Sequence, residues 1–320
     1  MKKFLIVLLI ILILVLAVLL GIRIYQTEIS EKKVLEQASN EIKKDTTPQE
    51  EKKVEIFQGD SRPIAVMIDN VGVARPQAGL NDAYIVYEII VEGNQTRLMA
   101  LFKDKDISKI GPIRSSRHYF LDYALENDAI YVHFGWSPKA QSDISSLKVN
   151  NINGINESSK SFWRVKDKSA PHNVVTSTEK ILDIAKRKGY STTSEKDSVL
   201  NYVVDEVELK DGETANEVVI PYSGTYKVSY KYDEETKRYT RTYNKTTQND
   251  GSGKGRQNLS NIGTLDGYYI TNGKAIKIKC YKTARKEQTI YKDLEGKEIE
   301  VNDGNTFIQI VPIDSKITME

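Results

Sequence analysis

An apolar run near the start of the chain is the feature that most restricts what this sequence can form. Residues 4–22 are almost all Leu, Ile and Val and carry no charge. A helix of this length, rising about 1.5 Å per residue, matches the roughly 30 Å hydrocarbon layer of a membrane. Lys2 and Lys3 precede the run, which favours a cytoplasmic N-terminus. We therefore predict a transmembrane anchor at residues 1–25, with the folded part outside the cytoplasm.

A cleaved signal peptide is the alternative for this run. Its apolar core exceeds the usual length of about 7–15 residues, and no small-x-small cleavage site follows it. A lipoprotein would need a cysteine near Gly21, but Ile22 stands there and the only cysteine is Cys280. These observations favour an uncleaved signal anchor in a single-pass protein of the cell membrane.

A polar segment rich in Lys and Glu follows at residues 26–61. It cannot bury enough apolar surface to fold alone, so we predict a flexible stalk. The alternative is a short helix packed on the folded part, because Ile29, Leu35, Ala38 and Ile42 form a weak helical stripe. The remaining chain is long enough for two modest domains.

Composition excludes several classes of function. The net charge is +2 with 28% charged residues, so the chain has no strong field that would attract nucleic acid. One cysteine excludes an internal disulfide framework, and no Cys/His cluster has the spacing of a zinc site. No P-loop or Gly-x-Ser-x-Gly elbow is present. We predict no cofactor.

Mixed strands and helices predict a layered α/β domain at residues 62–192. The apolar runs are typical of strands, and those at 83–92 and 96–102 are predicted to form a hairpin. The helices are predicted from apolar residues at helical spacing or from residues typical of helix ends. Thr176 and Glu179 form a capping-box pattern, and Gly189 ends the helix that follows. The predicted strands are 64–68, 83–92, 96–102 and 129–134, and the predicted helices are 114–126, 138–147 and 177–188.

Residues 193–320 have a different pattern, with Tyr- and Val-rich strands and no convincing helix. Asn272-Gly273 between alternating strands predicts a hairpin at 267–281. A second pair is predicted within 290–312, around Glu295-Gly296. We therefore predict a mostly antiparallel β domain after the α/β domain.

Two arginines give the clearest sign of chemistry. Arg114 and Arg117 lie three residues apart, in what we predict to be the first turn of a helix, where the macrodipole disfavours cations. A bound phosphate or carboxylate would offset them, with Ser115 and backbone N–H groups as further donors. The alternative is internal pairing with Glu88 or Glu92 on a neighbouring strand.

The three histidines, His118, His133 and His172, are the candidate general bases. His133 and His172 lie beside a strand end and in a loop, but a histidine in an apolar strand is more often a hydrogen-bonded core residue. A metal could be held by carboxylates, yet their spacing has no metal signature, so no metal is predicted. These potential ligands are Asp69, Asn70, Glu88, Glu92 and Asp143.

Several uncommon motifs follow one another in order from residue 62. They are RPIAVMIDN at 62–70, ARPQAGL at 74–80, Tyr87-Glu88, Glu92-Gly93, Thr96-Arg97-Leu98, IGPIRSSR at 110–117, HFGWSP at 133–138 and APHN at 170–173. With them the chain resembles the YerB-like family, extracytoplasmic proteins of Gram-positive bacteria whose function is unassigned. The resemblance implies a layered α/β domain and a smaller β-rich domain, and it brings no established reaction.

Two departures from the family pattern bear on function. Members are often lipoproteins, but this chain lacks the lipid-accepting cysteine, so the helix itself would be the anchor. Similar proteins place a His-Asp-containing loop and a further strand where Tyr243 here leads almost directly to Gly251, and Cys280 stands where Trp is common. The C-terminal domain therefore looks shortened. If the missing piece belongs to a ligand cleft, this copy is weakened in function.

The leading hypothesis is a non-catalytic envelope protein that binds an anionic ligand, or an envelope protein bearing one. The rival is an enzyme acting on phosphodiester or pyrophosphate-linked envelope polymers, and the third is a scaffold with no ligand. The enzyme hypothesis has a weak analogy in LytR-type cell-wall ligases, which also have one N-terminal helix followed by an outer α/β domain. Those ligases bind a lipid-linked pyrophosphate with arginines. The predicted ligand-binding residues are Asp69, Asn70, Glu88, Glu92, Arg97, Arg114, Ser115 and Arg117, with His133 and His172 at the rim.

Overall fold

A computed structural model describes residues 18–23, 25–27, 29–30, 32–33, 53–245, 257 and 259–320. The chain divides into two units, Met1–Lys52 and Lys53–Glu320. The described residues of the first unit are helical. Most of the predicted anchor and stalk lies outside the described residues. Within those that are described, no helix is long and apolar enough to span a bilayer.

The second unit is mostly β, with few helices and several sheets. Its described part contains three α-helices: α1 (Phe120–Glu126), α2 (Pro138–Ser146) and α3 (Thr178–Arg187). The first strands are β1 (Ile64–Asp69), β2 (Ile85–Ile90), β3 (Thr96–Phe102), β4 (Ile130–His133), β5 (Asn151–Asn153), β6 (Trp163–Arg164), β7 (Val174–Val175), β8 (Tyr202–Val203) and β9 (Glu213–Thr214). The later strands are β10 (Glu217–Ser223), β11 (Tyr226–Asp233), β12 (Arg238–Lys245), β13 (Gly263–Thr271), β14 (Lys274–Lys282), β15 (Ile290–Lys292), β16 (Val301–Asn302), β17 (Thr306–Ile310) and β18 (Thr318–Met319).

A six-stranded mixed sheet organises this unit, in the order β17-β2-β3-β1-β4-β5. Strand β1 is antiparallel to β3 and parallel to β4. Successive side chains of a strand point to opposite faces, and both faces are buried. Ala65 and Met67 pack on the α1 side, whereas Val66 and Ile68 pack on the side of α3. Burial on both faces explains why the strands are continuously apolar.

Strand β17 corrects the predicted pairing within residues 290–312. It lies parallel to β2 at the edge of the six-stranded sheet, whereas β15 pairs with β14. Phe307 packs with one core cluster, and Ile308 and Ile310 pack with the other. The turn predicted at Glu295-Gly296 does form, because Asp293 N donates to Lys297 O and Ile299 N donates to Tyr291 O. The pairing it closes is short, and β17 lies outside it. A strand that is apolar on both sides fits a sheet covered on both faces, so β17 joins β2 instead of pairing back with β15.

The remaining strands form smaller sheets. One has the order β12-β11-β10-β18, and another contains β13, β14 and β15 with β9 paired to β14. The hairpin predicted at Asn272-Gly273 is confirmed, because β13 and β14 pair from Thr271 and Lys274 outward. Both turn residues have positive φ, 50° and 72°, as a type I′ turn requires.

Two helix starts were predicted well and one was not. Ser137 caps α2 through Ala140 N, with Pro138 in the first turn. Helix α3 begins one residue later than the capping box suggested, with Ser177 as its N-cap. The predicted helix at 114–126 is wrong in its first half, because α1 begins only at Phe120.

Candidate functional site

The predicted site residues gather where strands β1 and β4 end. These strands are parallel, and crevices at the carboxyl ends of parallel strands are common ligand sites in α/β sheets. Asp69 is the last residue of β1 and lies opposite Arg97 of β3. The two residues therefore share a face of the sheet, at the edge where the loops begin.

Asp69 is the centre of a charged group that we call the arginine cluster: Asp69, Glu92, Arg97, Arg114, Arg117 and His172. The Asp69 side chain is only 3% exposed. Its Oδ2 atom lies 2.7 Å from His172 Nδ1 and 3.1 Å from Arg114 Nε. Because a carboxylate accepts, His172 Nδ1 carries the hydrogen, and in the neutral ring Nε2 keeps a lone pair. Two cationic or basic side chains thus meet at one buried carboxylate.

Arg97 is the most deeply buried cation of the cluster, with 7% exposure. Its Nη1 donates to the Ser115 carbonyl at 2.6 Å. Among the described residues, no carboxylate lies within ion-pair distance of it. Burial, then repulsion by Arg117 and Arg114, lowers the pKa of Arg97 to about 10. The side chain stays charged at neutral pH and lacks a dedicated counter-ion.

Arg114 and Arg117 do not share a helix face, which corrects the macrodipole argument. The backbone around Arg114 is held by neighbouring strands: Arg114 N donates to Met67 O and Phe134 N donates to Arg114 O. Those long-range hydrogen bonds compete with the helical pattern, so the segment is extended. Neither arginine lies in the first turn of a helix.

Arg117 follows the internal-pairing alternative. Its Nε donates to both carboxylate oxygens of Glu92, at 2.7 and 3.0 Å. Burial would raise the pKa of Glu92, but the hydrogen bond and charge of Arg117 outweigh it, and the pKa is lowered overall. Arg117 is therefore neutralised within the protein.

Arg114 is held much more loosely. Its Nε is buried and has no hydrogen-bond partner in the described chain, because its N–H is poorly aligned with the nearby Asp69 oxygen. Its Nη1 reaches the Pro171 carbonyl only at 3.4 Å. An unsatisfied buried donor on a charged group is costly. The Arg114 side chain is 23% exposed, so its weakly engaged terminal N–H groups, unlike Nε, are accessible to a ligand.

Glu88 and Asn70 belong to a second group, the Glu88 cluster: Asn70, Glu88, Thr96, Tyr226 and Arg241. Glu88 is fully buried; its Oε1 accepts from Asn70, Thr96 and Tyr226 at 2.7 to 3.0 Å. Its Oε2 accepts from Arg241 Nη2 at 2.6 Å. Burial disfavours the charged guanidinium, but Glu88 raises the pKa of Arg241 overall. With every partner supplied internally, Glu88 joins β2 to the β10–β12 sheet and is not open to a ligand.

His133 also lies away from the open side of the arginine cluster. It is fully buried, and its Nδ1 and Nε2 lie 2.8 Å from Gly135 O and 3.2 Å from Asn151 Oδ1. Burial lowers the pKa of His133 from 6.5 to about 4, although both hydrogen bonds oppose the shift. His133 is a core histidine, and His172 is the candidate base that reaches the cluster.

The carboxylates considered as metal ligands all have cationic partners. Asp69 faces Arg114, Glu88 faces Arg241, Glu92 faces Arg117, and Asp143 faces Arg285 at 2.7 Å. Within the described part of the chain, no three His, Cys, Asp or Glu side chains converge.

Sequence reasoning missed the partners contributed by distant strands. Tyr226 and Arg241 complete the Glu88 cluster. Arg75 donates to Asn70 Oδ1 and lies over the Tyr243 ring, with 3.0 Å between the guanidinium carbon and the ring centroid. Arg75 is part of the ARPQAGL motif, so its position was available as a signal. The tyrosines and Arg241 look like ordinary residues of exposed strands.

A wide cleft of about 2450 Å³ lies elsewhere, lined by β13, β14, β17 and nearby loops. None of the predicted site residues lines it. The wide cleft and the arginine cluster are therefore at different places in the molecule.

Comparison with known proteins places the chain in a family. The Bacillus subtilis protein named "Putative lipoprotein YerB" is 31% identical over 280 residues, which cover 79% of this chain and 82% of the relative. The chain belongs to the YerB-like family. The N-terminal and C-terminal domains of a protein of unknown function, DUF3048, match residues 47–191 and 242–308.

The YerB-like fold is also found in a solved structure. The crystal structure of YerB protein from Bacillus subtilis superimposes with a TM-score of 0.70 and 29% identity, covering 81% of this chain and 94% of that one. The resemblance drawn from the motifs is thereby confirmed. Neither relative's name states a reaction or a ligand.

Proposed function

We propose that this protein binds an anionic ligand, a phosphate or carboxylate group, at Arg97 and Arg114, with His172 at the rim. The observation that carries the proposal is Arg97, a buried guanidinium with no carboxylate in ion-pair distance among the described residues. The cluster has three arginines and two carboxylates, so one positive charge is unmatched before His172 is counted. Buried charge normally requires a partner.

The chemistry of the cluster favours a tetrahedral or planar oxyanion. Guanidinium groups bind such anions through pairs of N–H donors. Arg114 makes one long hydrogen bond through Nη1, at 3.4 Å, and Arg97 uses Nη1 for the Ser115 carbonyl. Arg117 is engaged by Glu92 and contributes its electric field more than direct contact.

The setting we infer is the outer side of a cell membrane. Residues 4–22 form an apolar run, and a relative is named a lipoprotein. In this assignment residues 1–25 anchor the chain in a single pass and 26–61 form a stalk. Residues 62–192 form the layered α/β domain, to which β17 adds an edge strand, and the rest of 193–320 forms the β-rich domain. The ligand would then be a component of the cell envelope or of an envelope protein.

Titration calorimetry with pyrophosphate tests the binding. The full-length protein should bind, and Arg114→Gln should weaken binding at least tenfold, because one charge-assisted contact contributes about 1.5–3 kcal/mol. Asp69 keeps His172 as a partner in this variant, so the fold should be retained. Arg238→Gln, at an exposed arginine of β12, is the matched control. Equal binding by all three proteins would refute the assignment.

A second function is supported by the Asp69–His172 pair. A carboxylate that orients Nδ1 leaves Nε2 able to take a proton from water, which is the arrangement of a general base. The corresponding activity is hydrolysis of a phosphodiester or pyrophosphate. Bis(p-nitrophenyl) phosphate is a suitable probe: turnover lost in His172→Gln but kept in His118→Gln supports an enzyme. Binding of the probe without turnover would support the binding function and not the enzyme.

A further inference from the structure

A second cleft, separate from the arginine cluster, lies beside the ends of β4 and β5. It has a volume of about 450 Å³ and is shallow. Its lining includes Trp136, Gln141, Lys148, Asn153 and Lys188. None of the residues that line it is acidic. A volume of this size is within the roughly 300–1,000 Å³ range of small-molecule sites.

Two side chains that line this cleft have donors that make no hydrogen bond to another described residue. Asn153 is held in place because its Oδ1 accepts from Gly135 N at 2.9 Å and Ile155 N at 3.2 Å. Its Nδ2 makes no hydrogen bond to another described residue and is not fully enclosed. Trp136 is half-buried. Its indole N–H makes no hydrogen bond to another described residue and is not fully enclosed. An aromatic surface beside a fixed amide suits a ring that carries hydroxyl groups.

Two lysines add positive charge to the cleft. Lys188 is exposed and lies 3.9 Å from Glu157, a distance at which the pair is weak. Lys148 is exposed and has no ion pair in the described chain; it ends helix α2 with a φ of 54°. Gly or Asn is usual at such a left-handed position after a helix. The chain therefore carries a lysine where local conformation favours a smaller residue.

We propose that this cleft binds an acidic saccharide. The sugar ring packs against Trp136, its hydroxyl or amide oxygens accept from Asn153 Nδ2 and the Trp136 N–H, and its carboxylate lies between Lys148 and Lys188. The site is independent of the anion site, because it shares no residue with the arginine cluster. Loss of one site therefore leaves the other measurable.

Intrinsic fluorescence of the full-length protein provides the test. The chain has two tryptophans, so Trp163→Phe leaves Trp136 as the reporter. The probes are N-acetylmuramic acid and N-acetylglucosamine, which differ by an ether-linked lactate, together with free lactate. We expect N-acetylmuramic acid to change the fluorescence and to bind about three- to tenfold more tightly than the neutral sugar, as solvent-exposed ion pairs allow. Equal binding of both sugars, or equal binding of lactate alone, overturns the proposal.

Two variants in the same background separate binding from folding. Lys148→Gly relieves the left-handed lysine, so its melting temperature should equal or exceed that of the parent while N-acetylmuramic acid binds several-fold more weakly. The control is Lys160→Gln, at an exposed lysine outside the cleft, which should bind N-acetylmuramic acid as the parent does. Unchanged affinity in Lys148→Gly, or no fluorescence response in the parent, contradicts the assignment.

Discussion

Asp69 and Arg97 lie directly opposite each other across β1 and β3, yet their charged groups do not form an ion pair. The Asp69 carboxylate is used by His172 and Arg114, whereas Arg97 turns to the Ser115 carbonyl. The strand register would allow an ion pair between Asp69 and Arg97. Instead, Asp69 is shared by His172 and Arg114, and the Arg97 guanidinium has no carboxylate partner among the described residues. This arrangement supports the proposed anion site, because a purely structural ion-pair network would leave no buried charge without a carboxylate.

His133 should make the stability of the protein depend on pH. Its pKa is about 4 in the folded protein, against 6.5 for an unperturbed histidine. Between these values only the unfolded chain binds the proton, so stability falls as pH decreases. The expected loss is about 3 kcal/mol from pH 6.5 to 4, with no contribution above pH 6.5. Urea unfolding of the parent and His133→Gln across this range should give curves that diverge; parallel curves would contradict the assignment.

Arg241 should be essential to the joint between β2 and the β10–β12 sheet. Arg241→Met leaves the Glu88 carboxylate buried with one oxygen unpaired, at an expected cost of about 3–5 kcal/mol. Glu88→Gln combined with Arg241→Met removes the charge and should lose clearly less. Chemical denaturation of the single and double variants measures the coupling. Additive losses would show that the two side chains do not act together.

Two glycines in different turns form a comparison pair: Gly273 lies between β13 and β14, and Gly224 lies between β10 and β11. A Cβ on Gly273, at φ 72°, would meet Asn216 Oδ1 at 2.7 Å and the Tyr232 ring at 3.0 Å. Gly273→Ala should therefore destabilise by about 2 kcal/mol, combining backbone strain with crowding. At Gly224 a Cβ meets nothing within 4 Å, so Gly224→Ala should be neutral or slightly stabilising. Equal melting temperatures for the two variants would be inconsistent with this packing.

Local signals predicted local structure and little beyond it. The start of α2 at Pro138 and the turn at Asn272-Gly273 were predicted because each depends on a few adjacent residues. The extended segment at Arg114 was missed because its backbone bonds to Met67 and Phe134, which no local periodicity reports.

Several candidate residues lie close together, but their pairing was not predicted. Asp69, Arg97, Arg114 and His172 were all candidates, and the structure brings them together. The partner of Glu88 could not be predicted, because Arg241 lies 153 residues further along the chain. Such partners depend on how β12 packs against the six-stranded sheet, which follows from the tertiary fold.

Thermal unfolding of the full-length protein and of Arg97→Met, with and without inorganic phosphate, tests the central claim most directly. Phosphate should raise the melting temperature of the parent, with about 2.7 kcal/mol of stabilisation at a hundredfold excess over Kd. Without phosphate, Arg97→Met should melt at or above the parent, because a buried charge lacking a carboxylate partner has been removed, and phosphate should not shift it. A variant that melts well below the parent, together with a parent that does not respond to phosphate, would show that Arg97 is structural and that the anion site does not exist.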